Sequence, residues 1–143
     1  MQQMAKYKKD FALFLEAGFI AINQMDEAAA TRLFNAAALL NPENTLTEIG
    51  KGYLQLHLLN LKGAAAHFEK VLKQEPDNEM AKTFLGVTLS WQPAETIKGE
   101  KILEETANSR DPAVKKISKT AIDFVETFVK KKPSPAEIKK KKK

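Results

Sequence analysis

The sequence predicts an all-α fold built from helical hairpins stacked in series. Three glycines recur at a constant interval of about 34 residues, at Gly18, Gly52 and Gly86. The same interval relates four further sets, which are Ala30 and Ala64, then Phe34, Phe68 and Ile102, then Pro42 and Pro76, and finally Asn44 and Asn78. Helix-favouring stretches alternate with proline- and asparagine-containing breakers at regular distances. Such a period is typical of helical repeat proteins, in which each repeat buries its apolar face against the next.

Breakers divide the chain into three predicted hairpins and one final helix. The hairpin helices are predicted over residues 10–23, 26–40, 45–60, 63–74, 79–92 and 94–107. Asp26 is the predicted N-cap of the second helix, because its carboxylate can accept hydrogen bonds from the free amides of the first turn. Pro42 ends the first hairpin and Pro93 marks the inner turn of the third.

The final helix is predicted over residues 112–130 as a cap on the stack. The pair Asp111-Pro112 is a strong start signal, combining an N-cap side chain with proline at the first helical position. Apolar residues then recur at helical spacing along one face, at Val114, Ile117, Ala121, Phe124, Val125 and Phe128. A helix with one apolar face is suited to closing the open end of a repeat stack.

The third repeat departs from the pattern of the other two. Lys98 occupies the position of Ala30 and Ala64, and Gly99 follows one residue later. We expect the small residues to lie where the two helices of a hairpin cross most closely, because a larger side chain would push the axes apart. Departure from the pattern is expected in the last repeat, which meets a cap and not another repeat.

Length and composition indicate one soluble globular domain. The chain has 143 residues, of which 43% are hydrophobic and 29% charged. It contains no cysteine, which excludes disulfides, thiolate metal sites and cysteine nucleophiles. The apolar stretch at residues 11–22 follows several lysines, but Glu16 interrupts it and it is too short to cross a bilayer as a helix. We therefore expect a cytoplasmic protein with no membrane insertion.

The positive charge is concentrated at the end of the chain. The net charge is +5, and positions 130–143 hold eight lysines against one acidic residue, Glu137. Positions 1–129 hold the other 15 of the 23 basic groups and the other 17 of the 18 acidic groups. We divide the chain into a helical domain at residues 1–130 and a lysine-rich tail at 131–143. The tail is predicted to be disordered, because like charges repel and prolines block a helix.

The repeated pattern resembles the tetratricopeptide repeat over about residues 11–112. This pattern consists of a small residue, then Ala-x-x-x-Phe, then proline, and it recurs about every 34 residues. The resemblance implies a short right-handed superhelix that binds other proteins, with the first helix of each hairpin lining a concave groove. Most positions that would face this groove are apolar. Those expected to contact a partner are Leu15, Phe19, Ile22, Leu46, Ile49, Tyr53, Leu56, Val87 and Trp91.

The apolar character of the groove limits the class of partner that the resemblance implies. Tetratricopeptide proteins that bind the acidic C-terminus of a heat-shock chaperone carry lysines and asparagines at positions that here hold Leu15, Phe19, Ile49 and Tyr53. An apolar groove suits an amphipathic helix or an extended hydrophobic segment. The chain also resembles the small tetratricopeptide chaperones of bacterial type III secretion, in its size, its three repeats with a closing helix, and the sequence Gly50-Lys-Gly52. That resemblance implies a chaperone that holds an aggregation-prone needle or translocator subunit.

Two interpretations of the apolar stripe in the second repeat stay open. Glu48, Lys51 and Gln55 form a polar stripe at the positions that normally face inward in the family. Either this helix is rotated and its apolar stripe is core, or the groove is unusually apolar. An open apolar groove would be a partner site or a self-association surface.

Catalysis is not predicted. His57 and His67 have no carboxylate or histidine partner at helical spacing, and Glu104 and Glu105 point in different directions because they are adjacent on a helix. The sequence contains no phosphate loop, metal-ligand cluster or nucleophile motif. We therefore predict no catalytic residues, no metal and no cofactor.

The alternative function is a tetratricopeptide scaffold that self-associates as a homodimer, with its basic tail contacting nucleic acid or acidic partners. Eight lysines could neutralise several phosphates and give salt-sensitive binding. Nucleic acid is the weaker expectation, because the tail has no aromatic residue to stack on bases and the helical domain is slightly acidic.

Overall fold

The computed structural model describes residues 8–130 as seven α-helices followed by one π-helical turn. The helices are α1 (Lys8–Asn23), α2 (Glu27–Leu40), α3 (Leu46–His57), α4 (Leu61–Gln74), α5 (Glu79–Ser90), α6 (Thr96–Thr106) and α7 (Pro112–Phe124), and the π-turn is Val125–Val129. No β-strand occurs in this range, so the all-α prediction is confirmed. The predicted disordered tail at 131–143 lies outside the described residues.

The helices pack as three hairpins in series. α1 packs on α2, α3 on α4 and α5 on α6, and each pair is joined by a short turn. α2 then contacts α3, α4 contacts α5, and α6 contacts α7. The core consists of two clusters, one around Phe34 and Leu54 between the first two hairpins and the other around Phe68 and Leu103. The first six predicted helices therefore match the observed ones to within a few residues.

The recurring glycines are explained by side chains that lie against them. A methyl group added to Gly18 would lie 2.6 Å from Cε1 of Phe34, and one added to Gly52 would lie 2.6 Å from Cε1 of Phe68. At Gly86 the nearest atom would be Cγ of Leu103, at 2.9 Å. Glycine costs about 1 kcal/mol relative to alanine inside a helix. Here its missing side chain lets a large buried residue of the second helix pack against the first.

The third hairpin shows that one sequence-based assignment was wrong. The residue equivalent to Phe34 and Phe68 is Leu103, which is fully buried, and not Ile102, which is partly exposed. Gly99 takes the role of the small residue, because a methyl group there would lie 2.3 Å from the backbone nitrogen of Ser90. The register of α6 is therefore displaced by one residue from the strict repeat interval.

Pro93 gives the physical reason for this displacement. α1 and α3 are each followed by a residue in the left-handed region, Met25 at φ 62° and Leu59 at φ 58°. The amide of Asp26 donates to the carbonyl of Ala21 at 2.8 Å and closes the first of these turns. Pro93 occupies the position of Leu59 in the next repeat, and its ring restricts φ to negative values, so it cannot take this conformation. Five residues instead of three separate α5 from α6.

The final helix, α7, is capped at its N-terminus and is hydrogen-bonded to the third hairpin. The carboxylate of Asp111 accepts from the amide of Ala113 at 2.9 Å, as the sequence predicted, and Asp26 accepts from Ala29 at 3.0 Å in the same way. The hydroxyls of Thr106 and Ser118 form a buried hydrogen bond of 2.7 Å between α6 and α7.

Beyond Phe124 the predicted single helix widens into the π-turn. Its last residue is followed by Lys130, whose Nζ lies 2.6 Å from Oε2 of Glu100 on α6 and 3.2 Å from Oε1 of Glu126. The ion pair with Glu100 attaches the end of the described chain to the third hairpin, whereas the pair with Glu126 lies within the terminal segment itself.

Candidate partner-binding groove

The nine predicted contact residues differ in how accessible they are. Leu46 is the most open, with 45% of its surface exposed. Phe19, Tyr53 and Trp91 are partly exposed. The remaining five are buried, namely Leu15, Ile22, Ile49, Leu56 and Val87. The predicted stripe therefore combines a buried floor with a few accessible side chains.

Four of the nine residues meet in one apolar hollow. This hollow has a volume of about 480 Å³ and is lined by Phe19, Asn23, Leu46, Ile49, Tyr53, Met80, Phe84 and Ile117. The first helix of every hairpin contributes to it, and Ile117 comes from α7.

Three more of the nine residues line an adjoining hollow of about 350 Å³. Its lining residues are Leu56, Phe84, Val87, Trp91, Lys116, Ile117, Thr120, Ala121 and Phe124. Phe84 and Ile117 belong to both hollows, so the two form one groove, which we call the apolar groove. Leu15 and Ile22 line neither hollow and belong to the core cluster around Phe34.

Aromatic rings cross the hairpins along the groove. The ring centroid of Tyr53 lies 5.7 Å from that of Phe19 and 5.4 Å from that of Phe84. Farther along, Trp91 lies 5.5 Å from Phe124 of α7. Centroid separations of this size are typical of favourable aromatic pairs. Packed aromatic rings from all three hairpins and from the final helix therefore line the groove.

Several lining residues were not predicted from the sequence. Phe84 was not expected in the groove, because it does not lie at one of the repeat positions that the resemblance assigns to the concave surface. Ile117, Ala121 and Phe124 were assigned to the cap, and the apolar face of α7 was expected to be consumed by closing the stack. Part of that face instead forms one side of the groove, and 41% of the surface of Phe124 is exposed.

The polar stripe of α3 lies away from the groove. Glu48 contacts two residues of α4, with Oε2 at 2.8 Å from Nδ1 of His67 and Oε1 at 3.2 Å from Nζ of Lys70. Lys51 and Gln55 line a separate hollow that includes residues of α2 and α4. On the groove side, Ile49 and Leu56 are core while Leu46 and Tyr53 are accessible. Ile49 and Leu56 therefore fit the interpretation of the stripe as core, whereas Leu46 and Tyr53 fit the interpretation as an open apolar groove.

The contacts of Glu48 determine its ionisation. Burial opposes the charged form, but the hydrogen bonds from His67 and Lys70 outweigh this effect, so the pKa of Glu48 is lowered from its ordinary value of 4.5. An ionised carboxylate only accepts, so Nδ1 of His67 is the donor in this pair. The prediction from the sequence considered partners of His67 only at helical spacing. It missed this pair because Glu48 and His67 lie on different helices.

Charge is sparse along the groove. Lys116 is the single lysine, arginine or carboxylate among the residues that line the two hollows. Within residues 8–130, no three histidine or acidic side chains are grouped closely enough to hold a metal ion. No helix in the same range is long and apolar enough to span a membrane.

Comparison with known proteins adds no identification. No protein-family model, curated protein or solved structure matches this chain. The function is therefore inferred from the groove and from the repeat pattern of the sequence.

Proposed function

We propose that this chain is a non-enzymatic binding module that holds an apolar or amphipathic segment of another protein in the apolar groove. The observation that carries the proposal is the continuous lining of the two hollows by side chains from three hairpins and α7. Contact of this apolar surface with water is unfavourable, and an apolar occupant would exclude the water from it.

The size and chemistry of the groove suit a short helix or extended strand with several apolar anchors. Each fully buried anchor contributes about 1.5–3 kcal/mol. Association costs of several kcal/mol oppose this gain, so three or four anchors are sufficient for useful affinity. The partly exposed side chains of Phe19, Tyr53 and Trp91 are the expected principal contacts, because aromatic residues dominate such interfaces.

The more specific proposal is a cytoplasmic chaperone of the type III secretion class. It is supported by the resemblance of the repeat pattern, of the chain length and of the Gly50-Lys-Gly52 sequence to those proteins. In that role the groove would shield the apolar helix of a needle or translocator subunit until its delivery. Shielding is useful because an exposed apolar helix promotes aggregation.

A charged substitution in the groove tests the proposal. The tagged wild-type chain is used to capture partners from its native cells, and the captured protein is then co-expressed with the Tyr53→Asp variant. We expect Tyr53→Asp to lose the partner and keep the helical circular dichroism of the wild type. Leu39→Asp is the matched control, because Leu39 is 77% exposed on α2 and lines neither hollow.

Other outcomes would redirect the proposal. Loss of helical signal in Tyr53→Asp would mean that this ring is structural core. Retention of the partner by a folded Tyr53→Asp variant would mean that binding occurs outside the groove. Recovery of nucleic acid that is released by salt, with no protein partner, would favour the scaffold alternative.

A further inference from the structure

The hairpins contact one another through equivalent positions of their first helices. In α3, Thr47, Gly50 and Leu54 share a face by helical spacing and are all buried. Gly50 lies against Phe34 of α2, since a methyl group on it would lie 2.5 Å from that ring. This face of α3 is therefore covered by the second helix of the preceding hairpin.

The next junction repeats this arrangement at the equivalent positions of the third hairpin. Ala81 and Thr88 of α5 are fully buried, and Phe84 between them stacks on Phe68 of α4 with 5.6 Å between ring centroids. At both junctions, the face formed by these three positions is covered by a helix packed alongside it.

In α1 the same three positions are Leu13, Glu16 and Ile20, and no helix within residues 8–130 packs alongside this face. Leu13 is 61% exposed and Ile20 is 54% exposed. The other end of the stack is covered by α7. The outer ends of repeat stacks are usually polar, whereas this one presents two large aliphatic side chains. We call the surface formed by Lys9, Leu13, Glu16 and Ile20 the N-terminal end face.

We propose that a second copy of this chain covers the N-terminal end face, so that α1 of one copy packs antiparallel to α1 of the other. The charges support this occupant. Lys9 precedes Leu13 by four positions and Glu16 follows it by three, so the two opposite charges flank the leucine on one side of the helix. Antiparallel pairing centred on Leu13 places Lys9 of each copy within one position of Glu16 of the other.

The geometry of the stack favours a closed dimer. A head-to-tail contact would need a second surface complementary to the N-terminal end face, whereas the exposed residues of α7 that do not line the groove include the charged Lys115, Lys119 and Asp123. Pairing of the same surface on both copies closes after two chains and forms no filament. Because each copy contributes little more than one helix, the interface is small and the dimer should dissociate at micromolar concentrations.

The proposal is tested by measuring the mass of the full-length chain by sedimentation equilibrium from about 1 to about 200 µM. We expect the mass to rise from 16.0 kDa toward twice that value. The Leu13→Glu/Ile20→Glu double variant should stay monomeric at every concentration, with unchanged helical circular dichroism. Leu39→Glu, which places the same charge at another exposed leucine, should dimerise as the wild type does.

A charge exchange tests the antiparallel arrangement. Lys9→Glu and Glu16→Lys should each raise the dissociation constant by about 2- to 10-fold, because two pairs per dimer become repulsive. The double variant carrying both changes should return to within about twofold of the wild type.

Three results would overturn the proposal. These are a monomeric wild type at the highest concentration, a dimer unaffected by the Leu13→Glu/Ile20→Glu variant, and a charge exchange without rescue. If Tyr53→Asp is the only variant that abolishes the dimer, self-association occurs through the apolar groove and not through the N-terminal end face. That result would overturn the present proposal independently of the proposed partner binding.

Discussion

Gly50 of α3 packs against Phe34 of α2 across the junction of the first two hairpins. A methyl group on Gly50 would lie 2.5 Å from Cε1 of Phe34, and one on Gly18 of α1 would lie 2.6 Å from the same atom. The ring is fully buried. A single side chain thus holds its own hairpin together and joins it to the next one, and this close packing requires two glycines inside helices.

This relationship predicts a specific coupling between Gly50 and Phe34. We expect Gly50→Ala to lower the free energy of unfolding by about 1–2 kcal/mol, because overpacking costs about 1–3 kcal/mol and the better helix propensity of alanine returns part of it. Urea denaturation followed by circular dichroism measures the change. In a Phe34→Leu background, which frees space, the same substitution should cost less than half as much. Equal costs in the two backgrounds would contradict the contact.

Gly99 is expected to tolerate substitution least among the helix glycines. A methyl group there would lie 2.3 Å from the backbone nitrogen of Ser90 and 2.7 Å from the carbonyl oxygen of Gly86. Backbone atoms cannot rotate away, so Gly99→Ala should separate α5 from α6 and cost about 3 kcal/mol or more. Thermal unfolding measures the loss.

Gly63→Ala is the matched control for Gly99→Ala. The nearest atom to a methyl group on Gly63 is the side-chain nitrogen of Asn60, at 2.6 Å, and this side chain can move. We expect the control to stay within about 1 kcal/mol of the wild type. Similar melting temperatures for the two variants would show that α5 and α6 do not approach as closely as described.

Met25 is predicted to be a site where glycine is stabilising. Its φ of 62° is disfavoured for residues with a side chain, and its side chain is 92% exposed, so little packing is lost on removal. Met25→Gly should raise the free energy of unfolding by about 0.5–1 kcal/mol. The neighbouring Gln24→Gly should lower it by a similar amount, since only the entropic cost of glycine applies there. Chemical denaturation of the two variants should give opposite signs.

Glu48 is expected to make stability depend on acid. Its pKa is lowered in the folded chain by the hydrogen bonds from His67 and Lys70, against the effect of burial. A lowered carboxyl pKa stabilises the fold above the ordinary value of 4.5, and this contribution is lost as the pH falls through the folded pKa. Glu48→Gln should therefore cost about 1 kcal/mol at pH 7. The difference from the wild type should shrink at a pH well below 4.5, as measured by urea denaturation. A pH-independent difference would assign the effect to packing.

Much of the fold could be predicted from local signals in the sequence. Asp26 and Asp111 act as N-caps because capping depends on residues within three positions of each other. The displacement of α6 was missed because it depends on φ at the inner turn. A strict interval aligns Ile102 with Phe68, whereas the restriction imposed by Pro93 starts α6 one residue late and brings Leu103 into the core.

The candidate site was harder to predict because it combines distant parts of the chain. Accessible Leu46 and Tyr53 alternate along α3 with Ile49 and Leu56, which are buried in the core cluster around Phe68 and Leu103. Ile117 lines the groove because α7, which is distant in sequence from the first two hairpins, packs on the third hairpin. The contact between Glu48 and His67 likewise joins residues on two helices. Helical spacing within one segment contains none of this information.

The placement of α7 limits how this architecture can change. Repeat proteins commonly gain or lose whole hairpins, because each one contacts only its neighbours. Here Ile117 of the closing helix lies beside Phe84 and lines both halves of the groove. A fourth hairpin inserted before α7 would move that wall away from the other lining residues. The number of repeats is thereby tied to the length of the segment that the groove can enclose, and a longer occupant would require a new closing helix.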